Sequence, residues 1–103
     1  MVKAILMFSL REGVDQEQFW QYWKDKHSIE YKKRPGLKKY IINRVTKVRG
    51  DINISGVSEI WFENNEAYIQ ANDPKYNKYS KDDHFWSQIK DAFRLMVDEE
   101  VIL

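Results

Sequence analysis

Residues 19–36 read FWQYWKDKHSIEYKKRPG, and this stretch limits the fold more than any other. At about 100° per residue, Phe19, Trp20, Trp23, His27 and Tyr31 share one side of a helix. Glu17, Gln21, Lys24, Asp25, Ser28 and Lys32 fall on the other. Asp15 is a good N-cap, with Gln18 three residues on to complete a capping box, and Val14 and Phe19 sit where a hydrophobic staple would join. The helix is expected to run from Asp15 to about Arg34. Pro35-Gly36 then stops it, because proline disfavours helix at the residue before it and glycine takes the turn. Lys32, Lys33 and Arg34 suit the negative end of the helix dipole. His27 therefore lies in the middle of an aromatic face. It is either a packed core histidine or the floor of a pocket.

The rest of the chain reads as strands and a broken helix. Residues 2–10 alternate, with apolar side chains on both faces, which suits a central strand covered on both sides. Residues 37–48 form a second strand candidate, and residues 49–56 a loop with glycine near both ends. Residues 57–63 form the third strand, where Ser58, Ile60 and Phe62 make the more apolar face and are placed against the helices. Asn64 or Asn65 caps a second helix over about 66–71. Asp73-Pro74 restarts a helical turn, and Asp82 or Asp83 caps a last helical piece over about 84–92. Residues 93–97 and 101–103 bracket Asp98-Glu99-Glu100 in a final strand.

The order βαββαβ, with right-handed crossovers, gives an α+β fold: a four-stranded antiparallel sheet with both helices on one face. Its other face still carries Trp61 and parts of the first and last strands. A chain of 103 residues would leave that patch in water, so two sheets are expected to pair face to face as a homodimer. At this length, 43% hydrophobic residues supply one core and one domain over 1–103.

Composition excludes several classes. The net charge of +1 gives no case for a nucleic-acid or membrane partner through bulk electrostatics. No apolar run approaches the ~20 residues of a membrane span. The start MVKAILMFSLR has no cleavage pattern and reads as a strand, not a signal peptide. There is no cysteine, hence no disulfide, thiolate nucleophile or thiolate ligand. A cytoplasmic location is the default. An RNA-recognition domain shares the element order, but its third strand needs a basic-glycine-aromatic signature; GVSEIWFE, with Glu59 and Glu63, does not supply one.

Two side chains are candidate catalysts. His27 titrates near neutrality, and burial against Trp23 and Phe19 would keep it neutral and able to take a proton. Its place near a helix C-terminus pulls its pKa the other way. Tyr40, just past the Pro35-Gly36 turn, is either a half-buried strand tyrosine or a donor to a developing oxyanion. His84 follows Asp82-Asp83, but the two histidines lack any metal-binding spacing, and no metal is expected. His84 would cap a solvated segment or close over a pocket mouth. The lysines and arginines between 24 and 47 form a solvated face, with steering of an anionic ligand as the minor alternative.

Four segments carry a resemblance: EQFWQYWKDKH on the first helix, the RPGLKKY turn, SEIWFEN on the third strand and the closing VDEEVIL. Together they resemble the EthD-type branch of the dimeric α+β barrel (ferredoxin-like) superfamily, and within it the methylmuconolactone methylisomerase group. The resemblance implies a homodimer with a cavity in each subunit, hydrophobic ligands, and chemistry without metal or organic cofactor. In that group the histidine of the helix motif and the tyrosine after PGL line the active site; these positions are His27 and Tyr40. Ile60 stands where that group has a cysteine. Heme-degrading relatives carry an asparagine on the first strand, which KAILMFS lacks.

These readings converge on a cofactor-independent enzyme acting on a small hydrophobic, enolisable or phenolic compound, as an isomerase, cyclase or oxygenase. His27 would move the proton and Tyr40 would stabilise the oxyanion. Trp20, Trp23, Tyr31, Ile60, Phe62 and His84 would shape the pocket. The rival is a non-catalytic dimeric binder of a hydrophobic metabolite.

Overall fold

The computed structural model describes residues 1–73 and 82–103. Four strands, β1 (Val2–Leu10), β2 (Leu37–Arg44), β3 (Gly56–Phe62) and β4 (Ile89–Val97), form one antiparallel sheet in the order β2-β3-β1-β4. β1 is central, as its apolar residues on both faces require. Between β1 and β2 come α1 (Gln16–Tyr22), a π-helical turn (Trp23–His27) and α2 (Ser28–Tyr31). Between β3 and β4 come α3 (Asn65–Asn72) and α4 (Asp83–Ser87).

Local chemistry sets these boundaries. The Asp15 carboxylate accepts the Gln18 N–H at 2.9 Å, and the Asn64 amide oxygen accepts the Ala67 N–H at 2.8 Å. Both satisfy a helix N–H that has no partner within its own helix. Gly36 turns the chain into β2 at φ +82°. A Cβ there would stand 2.7 Å from Ala67 Cβ, so both its backbone angle and its neighbour demand glycine.

Pairing of Ala4 with Ile60 and of Leu6 with Ser58 puts these residues on one face of the sheet. Ser58, Ile60 and Phe62 are buried on that face, as their pattern implied. Two cores form under the helices. One joins Leu6, Phe8, Phe19, Trp23, Phe85 and Ile89; the other joins Ala4, Ile60, Phe62 and Ala71. In the first, Phe8 meets Phe19, Trp23 and Phe85 edge-on, with ring centres 5.0–5.7 Å apart. Gly56 makes room for this: a Cβ at that position would lie 2.5 Å from the Phe8 ring and 2.7 Å from the Trp23 ring.

Four expectations need correction. The first helix is not one regular cylinder but is interrupted by the π turn. β2 ends at Arg44, short of residue 48. The last helical piece ends at Ser87, and β4 begins at Ile89, because residues 92–97 already alternate and Ile89 is needed in the core. Residues 98–103 form no strand; Glu99 instead accepts hydrogen bonds from Lys3 Nζ at 2.7 Å and Trp61 Nε1 at 3.1 Å. The helical turn expected at Pro74 lies outside the described residues.

Trp61 faces away from the helices, paired across the sheet with Lys3 and Lys39. Their ammonium groups lie 4.4 and 4.9 Å from its ring centres, and only 8% of the residue is exposed. On the same outer face, Phe93 is 54% and Leu95 43% exposed. The open apolar patch therefore belongs to β4.

Candidate active site

A cavity of about 730 Å³ lies between the helices and the inner sheet face, and both cores contribute to its walls. Leu6, Trp23 and Phe85 come from one core, and Ile60 and Ala71 from the other. Its volume lies within the range of small-molecule pockets.

The π turn sets the wall in which His27 stands. The Ser28 N–H bonds to the Trp23 carbonyl five residues back, so this turn holds one residue more than an α turn. From there the His27 ring lies flat on Phe85, with centroids 3.8 Å apart and planes 10° apart. Its Nδ1 is 2.9 Å from Asp82 Oδ2. Ionised Asp82 has no proton to give, so Nδ1 carries the hydrogen and Nε2 keeps its lone pair.

Asp82 holds three groups together. Its Oδ1 accepts the Phe85 N–H at 3.0 Å, capping α4, and the Tyr22 hydroxyl at 2.9 Å. Its Oδ2 accepts from Tyr22 at 3.0 Å and from His27. Burial pushes the Asp82 carboxyl up, but the Phe85 N–H, His27 and Tyr22 outweigh it and leave its pKa lowered. For His27, burial pulls the imidazole below its ordinary value, Asp82 opposes without reversing this, and the charge of Arg34 adds to the lowering. The expected upward pull of the helix end does not prevail.

Tyr40 reaches the cavity from β2, where pairing with Ile60 turns it to the helix side. Burial raises its pKa, so its proton stays on at neutral pH. The nearby Trp23 side chain opposes that shift. The phenolic O–H of Tyr40 can donate to a ligand. Tyr31 links the two candidate catalysts, with its ring centre 6.1 Å from His27 and 5.2 Å from Tyr40. Burial pushes the Tyr31 hydroxyl up to about 12, and it donates to Asn72 Oδ1 at 2.6 Å.

Of the eight residues singled out in the sequence, five line this cavity: His27, Tyr40, Trp23, Tyr31 and Ile60. Three do not. Trp20 faces a separate small recess with Leu10, Gln16 and Arg44, and Trp23 stands in the wall between the two spaces. Phe62 is wholly buried in the second core, edge-on to Tyr68. His84 is exposed, packed against the Tyr22 ring at 4.5 Å; on α4 it is the neighbouring Phe85 that turns inward. Asp82, Tyr22, Asn72 and Arg94 also line the cavity and were missed. Asp82 was visible only as a cap. Among the described residues no cluster of His, Asp and Glu fits a metal ion, and no helix is long and apolar enough to cross a membrane.

The model of the EthD domain matches residues 11–86. The chain belongs to the EthD family. No curated protein matches it. Among solved structures, an EthD family protein from Bacillus halodurans superposes with a TM-score of 0.71 at 21% identity, over 97% of this chain and 99% of its own. SnoaB, a cofactor-independent oxygenase from Streptomyces nogalater, gives a TM-score of 0.70 at 13% identity, over 99% and 95%. A dimeric protein of unknown function with a ferredoxin-like fold, from Bacteroides fragilis, gives 0.68 at 14%, over 95% of each chain. At these identities the likeness establishes the ferredoxin-like fold of this EthD family member.

Proposed function

We propose that the chain is a cofactor-independent enzyme of isomerase, cyclase or oxygenase type, moving a proton on a small hydrophobic, enolisable or phenolic compound. One observation carries this reading: an imidazole held at Nδ1 by a carboxylate, in the wall of a cavity of about 730 Å³. His27 Nε2 takes the proton from the acidic carbon or phenol, and Asp82 stabilises the imidazolium that forms. The electron pair left behind moves onto the substrate oxygen, which receives the Tyr40 O–H as a hydrogen bond. Return of the proton from Nε2 to another carbon completes an isomerisation. Attack of the enolate on a second carbonyl completes a cyclisation. With dioxygen as the oxidant, the same enolate gives up an electron to it. The likeness to SnoaB, a cofactor-independent oxygenase, supports the last route. The working unit is one domain over 1–103, paired with a second copy through the outer sheet face.

The test is deuterium exchange at the acidic carbon of enolisable lactones and β-diketones, followed by proton NMR, with affinity measured separately. The protein as it stands exchanges the label. His27→Gln and His27→Ala bind with similar affinity and exchange about 10²–10⁴-fold more slowly. Binding with no His27-dependent exchange or turnover on any of them leaves a carrier or sensor instead.

A further inference from the structure

The inner face of β4 carries one charged group that the proton transfer leaves unused. Arg94 pairs with Leu6, which pairs in turn with Ser58, so the three form a row across the inner sheet face. All three line the cavity. Arg94 has no hydrogen-bond or ion-pair partner among the described residues. Three of the other charged side chains in the lining, Arg34, Glu30 and Asp82, are engaged elsewhere. Arg34 donates from Nε to the Ala71 carbonyl at 3.1 Å and lies 4.2 Å from the centre of the Tyr31 ring. Glu30 is paired with Lys33 at 3.1 Å, and Asp82 is committed to His27, Tyr22 and the α4 cap. The charge of Arg94 nonetheless reaches into the site, where it acts on the Tyr31 hydroxyl against the effect of burial.

A guanidinium presents a flat fork of donors that fits a carboxylate with two parallel bonds. Exposed on β4 where it lines a largely apolar cavity, and without a counter-ion of its own, it is a binding group awaiting an anion. We propose that Arg94 anchors the carboxylate of a hydrophobic ligand whose other end lies against His27, so that the ligand class is a small aromatic or unsaturated carboxylic acid. This deepens the reading of the cavity as a ligand site by giving the ligand a charge.

The test compares 2-naphthoate with 2-naphthamide, which share a shape and differ in charge, by titration calorimetry. The unaltered protein binds the acid about tenfold or more tightly than the amide, as a charge-assisted bond implies. Raising sodium chloride from about 50 to about 500 mM weakens the acid alone. Arg94→Gln brings the two affinities within about twofold while amide binding persists, which also reports an intact cavity; Arg94→Lys keeps part of the preference. His27→Gln keeps all of it, so absent catalysis would sink the proton-transfer reading and leave this one standing. Failure of the acid to bind, equal binding of both probes, or an undiminished preference in Arg94→Gln overturns the proposal.

Discussion

The His27 imidazole lies parallel to the Phe85 ring at 3.8 Å, and the same helix that supplies Phe85 begins with the carboxylate bound to His27 Nδ1. α4 and its N-cap residue thus fix the histidine from its face and from its edge. Phe85 acts as the apolar wall that depresses the imidazole pKa, and Asp82 sets which nitrogen is basic. In Phe85→Leu the wall is thinner and the imidazole better hydrated. The His27 pKa measured by NMR titration rises toward the ordinary 6.5. The fold persists at a cost of about 1–1.5 kcal/mol.

The same depressed pKa fixes the sign of the pH dependence. Unfolded His27 binds a proton more readily than folded His27, so stability falls as pH drops from the unfolded value of 6.5 toward the lowered folded one. Above 6.5 this contribution is fully present. His27→Gln removes that part of the acid sensitivity, which thermal melts at a series of pH values between about 5 and 8 would read. For catalysis, kcat/KM rises with pH to a plateau through an apparent pKa below 6.5.

Asp82→Asn separates positioning from packing. The amide still accepts the Phe85 N–H, so the cap is largely kept. The support for imidazolium is lost, and the pH limb of kcat/KM shifts to lower pH because Asp82 was raising the His27 value. The plateau falls by about 10²-fold or more as the tautomer is no longer enforced. An unchanged pH profile would mean that the carboxylate serves only α4.

Tyr40→Phe removes the hydrogen offered to the oxyanion but keeps the ring. The expected loss is about 10²–10³ in kcat with little change in ligand affinity. Tyr31→Phe behaves differently, because that hydroxyl is spent on Asn72. It costs about 1 kcal/mol of stability and little rate, measured by urea unfolding alongside turnover.

Pairing of two sheets would cover Phe93 and Leu95, the exposed apolar residues of the outer face of β4. Leu95→Lys is expected to shift a homodimer toward monomer by light scattering on a sizing column. Lys39→Ala, beside the already covered Trp61, is expected to leave the mass unchanged.

Much of the scaffold could be read from residue patterns. Apolar residues on both faces of residues 2–10 require a central strand, and Asp15, Asn64 and Pro35-Gly36 punctuate the helices by known chemistry. The sets that meet the helices, Ser58, Ile60 and Phe62 among them, follow from a period of two. The site was only half legible. His27, Tyr31 and Tyr40 announce themselves by type and face. Asp82 is 55 residues from His27 and looks like any capping aspartate, so no local pattern ties the two. Trp20 and Phe62 were assigned to the cavity because aromatic character shows that a side chain is buried, not which space it borders. Arg94 was hidden because an alternating edge strand places arginine outward as readily as inward.

The five-residue turn at Trp23–His27 has a consequence for how the first helical stretch divides its work. By holding one residue more than its neighbours, it puts the two halves of a single rod out of phase. The leading half lays Phe19 against the sheet, while the trailing half presents His27 and Tyr31 to open space. Deleting Lys26 would restore a smooth cylinder, well capped at its start and still able to fold, whose imidazole no longer meets its carboxylate.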